Sequence, residues 1–242
     1  MFSEMIRTTL EREVIGQPAA IASVVRGITR LASGLTPRER SWCTYLFIGP
    51  PGTGRTHLVR TVARLLHGEE QRVLTVSCPT AGHPDPWTSF VQQLAPLFGS
   101  PAGPAGLGGH DGVLPLGIEG RPAPKVVLIQ DLEAAQKEFL LPLARLLATG
   151  EAPLQDGHRV RLDNTLVFLT SRICSREILD ESSRIGFAGT AGQDEEDEQD
   201  SIVKLCNAEA EKLFGLDLLA QLDRLIVFRR LEDEHLAGVL DR

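Results

Sequence analysis

Five short apolar runs stand out along the chain, and each predicts a buried strand: 44–48, 73–77, 126–130, 165–170 and 224–228. Most are continuously apolar, which is typical of a parallel sheet covered on both faces. Between these runs the sequence predicts helices, because apolar residues recur at helical spacing. They lie after residue 55, near 86–98, from about 133 to 148 and from about 200 to 214, before Gly215. The alternation predicts an α/β fold, a three-layer αβα domain with a five-stranded parallel sheet.

Two segments break this pattern. Residues 99–124 hold repeated Gly and Pro, and predict a long loop. Residues 188–200 are strongly acidic and predict a solvated loop, with a calcium site as the alternative, although the spacing of an EF-hand loop is absent. We therefore expect a helical segment over 1–40 and a core over 41–242 that carries both loops.

Composition excludes several classes of function. The chain has 242 residues and a net charge of −7, which suits one α/β domain and leaves only a local basic patch as a route to nucleic acid. No apolar run approaches the roughly 18 residues of a membrane helix, and the N-terminus lacks the order of a secretory signal. We expect no nucleic-acid or membrane partner and a cytoplasmic location. The four scattered cysteines predict buried free thiols rather than a zinc site.

The clearest candidate chemistry lies between the first strand and the next helix. Residues 49–56 match a phosphate-binding loop at every position but one. Its glycines let backbone N–H groups face the phosphates, the helix start adds a positive dipole end, and the Thr56 hydroxyl would ligate Mg²⁺. Arg55 replaces the usual lysine, keeping the charge but bringing a wider planar group. A general bias of 21 Arg against 4 Lys explains this change without restoring the geometry.

With this loop placed, the chain resembles the second ATPase domain of the Clp/Hsp100 branch of the AAA+ proteins nearly end to end. The resemblance is carried by the segments 14–17, 154–160, 175–187 and 222–228. The first is similar to the family's segment beside the adenine, and the second to its Asp-Gly hairpin. The resemblance implies an ATP-driven unfoldase or disaggregase that acts on a protein client within a homo- or hetero-oligomeric ring, with other AAA+ subunits as partners.

The resemblance also implies the cofactors, ATP or ADP with Mg²⁺, and the residues that bind them. Carried over residue by residue, the nucleotide-binding set is Val14, Ile15, Gly49, Pro50, Pro51, Gly52, Thr53, Gly54, Arg55, Thr56 and His57.

The family's acidic motif ends a strand in Asp-Glu, where the Asp holds the water shell of Mg²⁺ and the Glu polarises the attacking water. The aligned residues here are Gln130 and Asp131. Shifting the match by one puts Asp131 at the magnesium position but Leu132 at the base, and Glu133 could serve only if the strand end were distorted. Asp131 is therefore the expected catalytic residue and, with Thr56, the expected metal ligand.

Further positions depart from the family. Arg172 stands at the sensor Asn, either supplying positive charge in cis or marking loss of the sensor, and Gln221 stands at the arginine finger. Pro104 replaces the pore-loop Tyr, and the helical lid that should follow Leu231 is missing unless the chain is a fragment. These departures predict an ATP-binding protein whose hydrolysis is weak or lost. The alternative is a pseudo-ATPase, a structural or interaction module in a larger assembly, while a small-molecule kinase would explain the loop alone.

Overall fold

The computed structural model describes residues 2–33, 42–68, 72–80, 84–95, 123–154, 157, 159–185 and 194–230. The first elements are α1 (Phe2–Glu13), α2 (Pro18–Ser33), β1 (Trp42–Ile48), α3 (Arg55–His67), β2 (Val73–Ser77) and α4 (Pro86–Leu94). They are followed by β3 (Lys125–Gln130), a 3-10 turn (Leu132–Ala134), α5 (Lys137–Thr149), β4 (Glu151–Pro153), β5 (Arg159–Arg161) and β6 (Thr165–Ser171). The last are α6 (Ser175–Ile185), α7 (Asp194–Phe214), α8 (Leu216–Leu219) and β7 (Arg224–Val227).

The sheet has five strands in the order β2-β3-β6-β1-β7, and every pairing in it is parallel. The predicted five-stranded parallel sheet is thus confirmed, and all five predicted strands are present. Strands β1 and β6 are buried at every residue, as a central pair covered on both faces requires. Because β3, β6 and β1 are neighbours, the segments that follow their carboxyl ends meet at one edge of the sheet.

Two apolar cores, one on each face of the sheet, make the fold three-layered. On one face, α1, α2 and α3 pack against the sheet, and the rings of Phe47 and Phe168 lie 5.4 Å apart. On the other face α4 and α5 pack with α7, and Phe90 meets Phe139 edge to face at 4.9 Å. Aromatic pairs in this geometry add to the stabilisation that burial alone gives. The β4–β5 pair is antiparallel and precedes β6, at the place of the expected Asp-Gly hairpin.

Two sequence-based boundaries are wrong. Helix α7 begins at Asp194, so the acidic segment predicted as a loop is helical from residue 194 onward. Acidic side chains favour the positive end of a helix, and no Gly or Pro interrupts 194–214. The helix predicted from about residue 133 begins at Lys137, because Asp131 takes the left-handed conformation at φ 57° and Ala135 is extended. The end before Gly215 is confirmed, with the Gly215 N–H donating to Glu211 O at 3.0 Å.

Several expectations fall on residues that are not described. Most of the Gly/Pro-rich segment, including Pro104, and the chain from residue 231 onward lie outside the described ranges. The pore-loop substitution, the absent lid and the division of the chain at residue 40 therefore stay predictions. All four cysteines are free and buried, as expected. None of the described helices is long and apolar enough to cross a membrane.

Helices α3 and α5 have the same length and end in the same way. Gly68 and Gly150 each adopt a left-handed conformation, at φ 78° and 72°, and donate a backbone N–H to the residue four before. Their surroundings differ. A Cβ at Gly150 would lie 2.4 Å from the ring of Trp42, whereas a Cβ at Gly68 would meet nothing within 4 Å. The Trp42 ring is fixed by burial and by its Nε1–H bond to Leu147 O at 3.1 Å.

We expect Gly68→Ala to lower the free energy of unfolding by about 1 kcal/mol, through backbone strain alone. Gly150→Ala should lower it by about 3 kcal/mol, because overpacking against Trp42 adds to the same strain. Urea unfolding followed by circular dichroism measures both, and the paired design isolates the steric part. Equal losses in the two variants would show that Trp42 is not held over the end of α5.

Candidate functional site

The loop between β1 and α3 is built by backbone contacts and one buried side chain. Gly49 passes so close to the end of β7 that a Cβ would lie 2.6 Å from Phe228 O. Thr53 is buried, and its hydroxyl donates to Pro50 O at 2.9 Å, closing the loop on itself. Gly54 is left-handed at φ 90° and leads directly into α3, where Thr56 stands half-buried in the first turn. The backbone N–H groups at this helix start form an anion site of the usual kind.

The segment 14–17 is joined to this loop by Gln17, which is only 4% exposed. Its Nε2 donates to Thr53 O at 3.3 Å and to Arg229 O at 2.9 Å, and its Oε1 accepts from Arg229 N at 3.4 Å. One buried amide therefore connects the chain before α2, the phosphate loop and the end of β7. Gln17 lies within the segment 14–17 that carries the family resemblance, but no role for it follows from sequence, since its partners lie 36 and 212 residues away.

The other expected nucleotide-binding residues beside the loop are Val14, Ile15 and His57. Val14 is buried in the core with 2% exposure, so its side chain packs within the protein, and Ile15 is half-buried. His57 is exposed, and its Nε2 lies 3.1 Å from Glu13 O. Arg64 and Glu13 form an ion pair that holds α1 against α3. These contacts fix the segment beside the loop.

Arg55 points across the loop to the end of β6. Its Nη1 donates to Ser171 O at 2.5 Å, and the same carbonyl accepts the Gly49 N–H at 3.2 Å. Burial lowers the pKa of this half-buried guanidinium, with the nearby Arg172 acting in the same direction and the carboxylates of Glu133 and Asp131 opposing it. Arginine stays charged in proteins at ordinary pH, so Arg55 provides a fixed positive charge beside the loop.

The end of β3 is distorted in a way that brings Glu133 into the site. Asp131 is left-handed, at φ 57° and ψ 48°, and the 3-10 turn that follows carries Glu133 toward β6. Arg172 donates from Nε to Glu133 Oε1 at 2.9 Å and from Nη2 to Asp131 Oδ1 at 3.2 Å. From sequence, Glu133 could serve only under such a distortion, and it is not among the expected site residues. Asp is among the few residues that tolerate this backbone conformation, which is the one local signal.

The charges of these groups respond to one another. Burial raises the pKa of Glu133, but hydrogen bonds to its own backbone and contacts with Ser171 and Arg172 outweigh it and hold that pKa below the ordinary 4.5. The ion pair with Glu133 and the charge of Asp131 raise the pKa of Arg172. One guanidinium therefore pairs with both carboxylates, while Gln130, at the end of the strand, is neutral.

The side chains described here fit a divalent cation poorly. Mg²⁺ takes near-octahedral oxygen ligands and is held through carboxylates and phosphates. One oxygen of Asp131 and one of Glu133 already accept from Arg172, and the second oxygen of Glu133 is buried. Over the described parts of the chain, no cluster of three or more His, Cys, Asp or Glu is placed to hold a metal ion. The roles of Thr56 and Asp131 as metal ligands stay predictions, since Mg²⁺ in such sites is held by water and substrate phosphates as well.

Gln221 lies away from the phosphate loop of its own chain. It follows α8, and its Nε2 donates to Asp217 O at 3.3 Å. Asp223, two residues later, pairs with Thr44 near the amino end of β1, where its backbone N–H donates to Thr44 O at 2.8 Å. The loop follows the carboxyl end of the same strand, so Gln221 is at the opposite edge of the sheet.

Comparison with known proteins agrees with this geometry. The sequence model of the AAA domain (Cdc48 subfamily) matches residues 40–225. The chain is 28% identical over 239 residues to the ATP-dependent Clp protease ATP-binding subunit ClpC of Staphylococcus saprophyticus, covering 97% of this chain and 27% of ClpC. It is 30% identical over 237 residues to the chloroplastic chaperone protein ClpD1 of Oryza sativa subsp. japonica, covering 96% and 24%. The chain thus spans about a quarter of the length of these relatives.

Solved structures show the same fold. The S. cerevisiae Hsp104-ADP complex matches with a TM-score of 0.72 at 21% identity, covering 99% of this chain and 38% of that one. An Hsp104:casein complex of the same organism, in an extended conformation, also gives 0.72, covering 98% and 37%.

The amide of Gln17 offers a direct test of how the site is held. We expect Gln17→Ala to lower the free energy of unfolding by about 2 kcal/mol, because the change removes a buried amide and leaves the carbonyl groups of Thr53 and Arg229 without that donor. Gln93→Ala is the matched control, since Gln93 is exposed on α4 and, among the described residues, donates only to Ser89 O, at 3.4 Å. That variant should stay within about 0.5 kcal/mol of the parent. A Gln17 variant as stable as the control would contradict the bridging role.

Proposed function

The chain belongs to the AAA domain family and is of the Clp/Hsp100 type, and from this membership we propose that it binds ATP or ADP at residues 49–57 and hydrolyses it weakly or not at all. The alternative within this proposal is a pseudo-ATPase that serves as a structural or interaction module in a larger assembly. Such a pseudo-ATPase either binds nucleotide without turnover or is purely structural. The observation that carries the proposal is the pairing of Arg172 with both Asp131 and Glu133.

Binding is supported by the loop and the charge beside it. The backbone turn at Gly49 and Gly54, the start of α3 and the guanidinium of Arg55 all favour an anion at the same place. The segment 14–17 is held next to the loop through Gln17, and we propose that Val14 and Ile15 shape the base side of the site through the backbone rather than through the buried Val14 side chain.

Weak or absent hydrolysis is supported by the state of the carboxylates. A general base must accept a proton from the attacking water, and its pKa should lie near the working pH. Hydrogen bonds to its own backbone, to Ser171 and to Arg172 outweigh burial and hold the pKa of Glu133 below its ordinary value, and the guanidinium of Arg172 also pairs with Asp131. Gln130 carries no charge at the strand end. The site therefore offers no described carboxylate that is free to activate water.

The partners are proposed from the relatives. The first relative is named as the ATP-binding subunit of an ATP-dependent protease, and another as a chaperone. We propose that this chain joins other AAA+ subunits, in a homo- or hetero-oligomeric ring, and that any protein client is handled through that assembly. Gln221 would face a neighbouring site without the charge of an arginine finger, which is worth about 10³–10⁵ in rate elsewhere. Four buried free cysteines fit the proposed cytoplasmic location.

Thermal-shift titration and a phosphate-release assay, run side by side, test the proposal. We expect ATP or ADP to raise the unfolding temperature, and turnover to stay below about 0.1 s⁻¹. The reason is that losing a general base alone costs about 10²–10⁴ from an ordinary kcat of about 10 s⁻¹. Thr56→Ala should reduce the nucleotide shift, while Thr149→Ala, at the exposed end of α5, should not. Brisk turnover that Thr56→Ala abolishes would overturn the proposal, and a protein that shows no nucleotide shift would leave only the interaction module.

Restoring the usual loop residue should not restore an enzyme. We expect Arg55→Lys to remain below the same turnover limit, because Gln130, Arg172 and Gln221 are unchanged and each stands at a catalytic position. Arg60→Lys, an exposed change one turn further along α3, controls for the general effect of the substitution. Phosphate release under saturating ATP is the measurement. Brisk hydrolysis in Arg55→Lys alone would show that Gln130 is misassigned.

A further inference from the structure

The guanidinium of Arg172 lies where the end of β3 faces the phosphate loop. Arg172 directly follows Ser171, whose carbonyl accepts from both Gly49 N–H and Arg55 Nη1. Its Nε and Nη2 are bonded to Glu133 and Asp131, and among the described residues none accepts a hydrogen bond from its Nη1. Arg172 is therefore oriented by two carboxylates and has donor capacity left for an acceptor.

A divalent cation would compete with this arrangement. One oxygen of each carboxylate accepts from Arg172, at 3.2 Å for Asp131 and 2.9 Å for Glu133, and the second oxygen of Glu133 is buried, so within this pair Mg²⁺ could reach only the second oxygen of Asp131 without breaking these bonds. A doubly charged ion bound there would lie close to the guanidinium of Arg172, and the two like charges would repel. Asp131 and Glu133, the carboxylates that would usually bind the metal, instead bind the guanidinium of Arg172.

The charges around the loop balance without a metal. Asp131 and Glu133 contribute two negative charges, and Arg55 and Arg172 contribute two positive ones. The two guanidinium groups flank Ser171, one reaching its carbonyl and the other following it in the chain. Phosphate oxygens accept bidentate hydrogen bonds from guanidinium groups readily.

We propose that Arg172 is the resident cation of this site, and that the chain binds the phosphates of adenine nucleotides without a divalent metal. The inference rests on the nucleotide binding proposed above. The phosphates lie against the backbone of residues 49–56, and Arg55 and Arg172 supply the positive charge that Mg²⁺ supplies in other phosphate sites. Arg172 positions and neutralises the ligand, and it takes no part in bond cleavage.

Isothermal titration calorimetry with ADP, in EDTA and in excess MgCl₂, tests this inference on the unaltered protein. We expect the dissociation constants in the two buffers to agree within about twofold. Affinity that Mg²⁺ raises about tenfold or more, a gain of about 1.4 kcal/mol, would overturn the inference and leave the proposed nucleotide binding intact. Absence of ADP binding in both buffers would overturn both.

The variant Arg172→Asn removes the fixed cation and releases both carboxylates. In EDTA we expect ADP affinity to fall about tenfold, since a charge-assisted contact to phosphate is lost, and MgCl₂ should restore most of it. Arg161→Asn is the matched control, because Arg161 is 65% exposed and pairs with Asp163 at 3.1 Å, against 57% exposure for Arg172. It should behave like the parent in both buffers. An Arg172 variant that stays indifferent to Mg²⁺ and keeps full affinity would overturn the inference.

Discussion

The carbonyl oxygen of Ser171 joins the sheet to the site. It accepts a hydrogen bond from Gly49 N–H at 3.2 Å and another from Arg55 Nη1 at 2.5 Å. Because β6 lies between β1 and β3, this one oxygen sets the position of the phosphate loop relative to the strand that ends at Gln130. The next residue, Arg172, then extends over Asp131 and Glu133. The order of three parallel strands therefore determines which charged side chains meet.

The strands were predictable because their sequences carry a strong and local signal. A continuous apolar run such as 165–170 has few alternatives to a buried parallel strand once turn residues bound it. The phosphate loop was equally predictable from the sequence, since its glycines follow a strand and precede a helix. The start of α7 was not, because an acidic run suits both a solvated loop and the first turns of a helix. Packing of the later residues Ile202, Cys206 and Ala210 in the core selects the helix.

The site was predicted less completely than the fold. The pairing of Arg172 with Glu133 joins residues 39 apart in the chain, and depends on the left-handed conformation of Asp131. No periodicity or spacing encodes either fact. From sequence, Arg172 could be interpreted only as the loss of the sensor Asn or as a positive charge supplied in cis. In the structure, the guanidinium of Arg172 forms ion pairs with two carboxylates. The substitution at the end of β6 and the weakened acidic motif after β3 therefore form one electrostatic arrangement.

Stability does not explain this arrangement. Arg172 is 57% exposed and Asp131 44% exposed, and ion pairs so open to solvent contribute little to folding, about 0–1 kcal/mol. The fold is held instead by two apolar cores in which residues such as Phe90 and Phe168 are fully buried. Since the guanidinium of Arg172 adds little to those cores, we expect it to affect ligands that approach the loop rather than folding. An anion meets guanidinium groups there that still have hydrogen-bond donors to offer, and a cation meets carboxylates that are already bonded to Arg172.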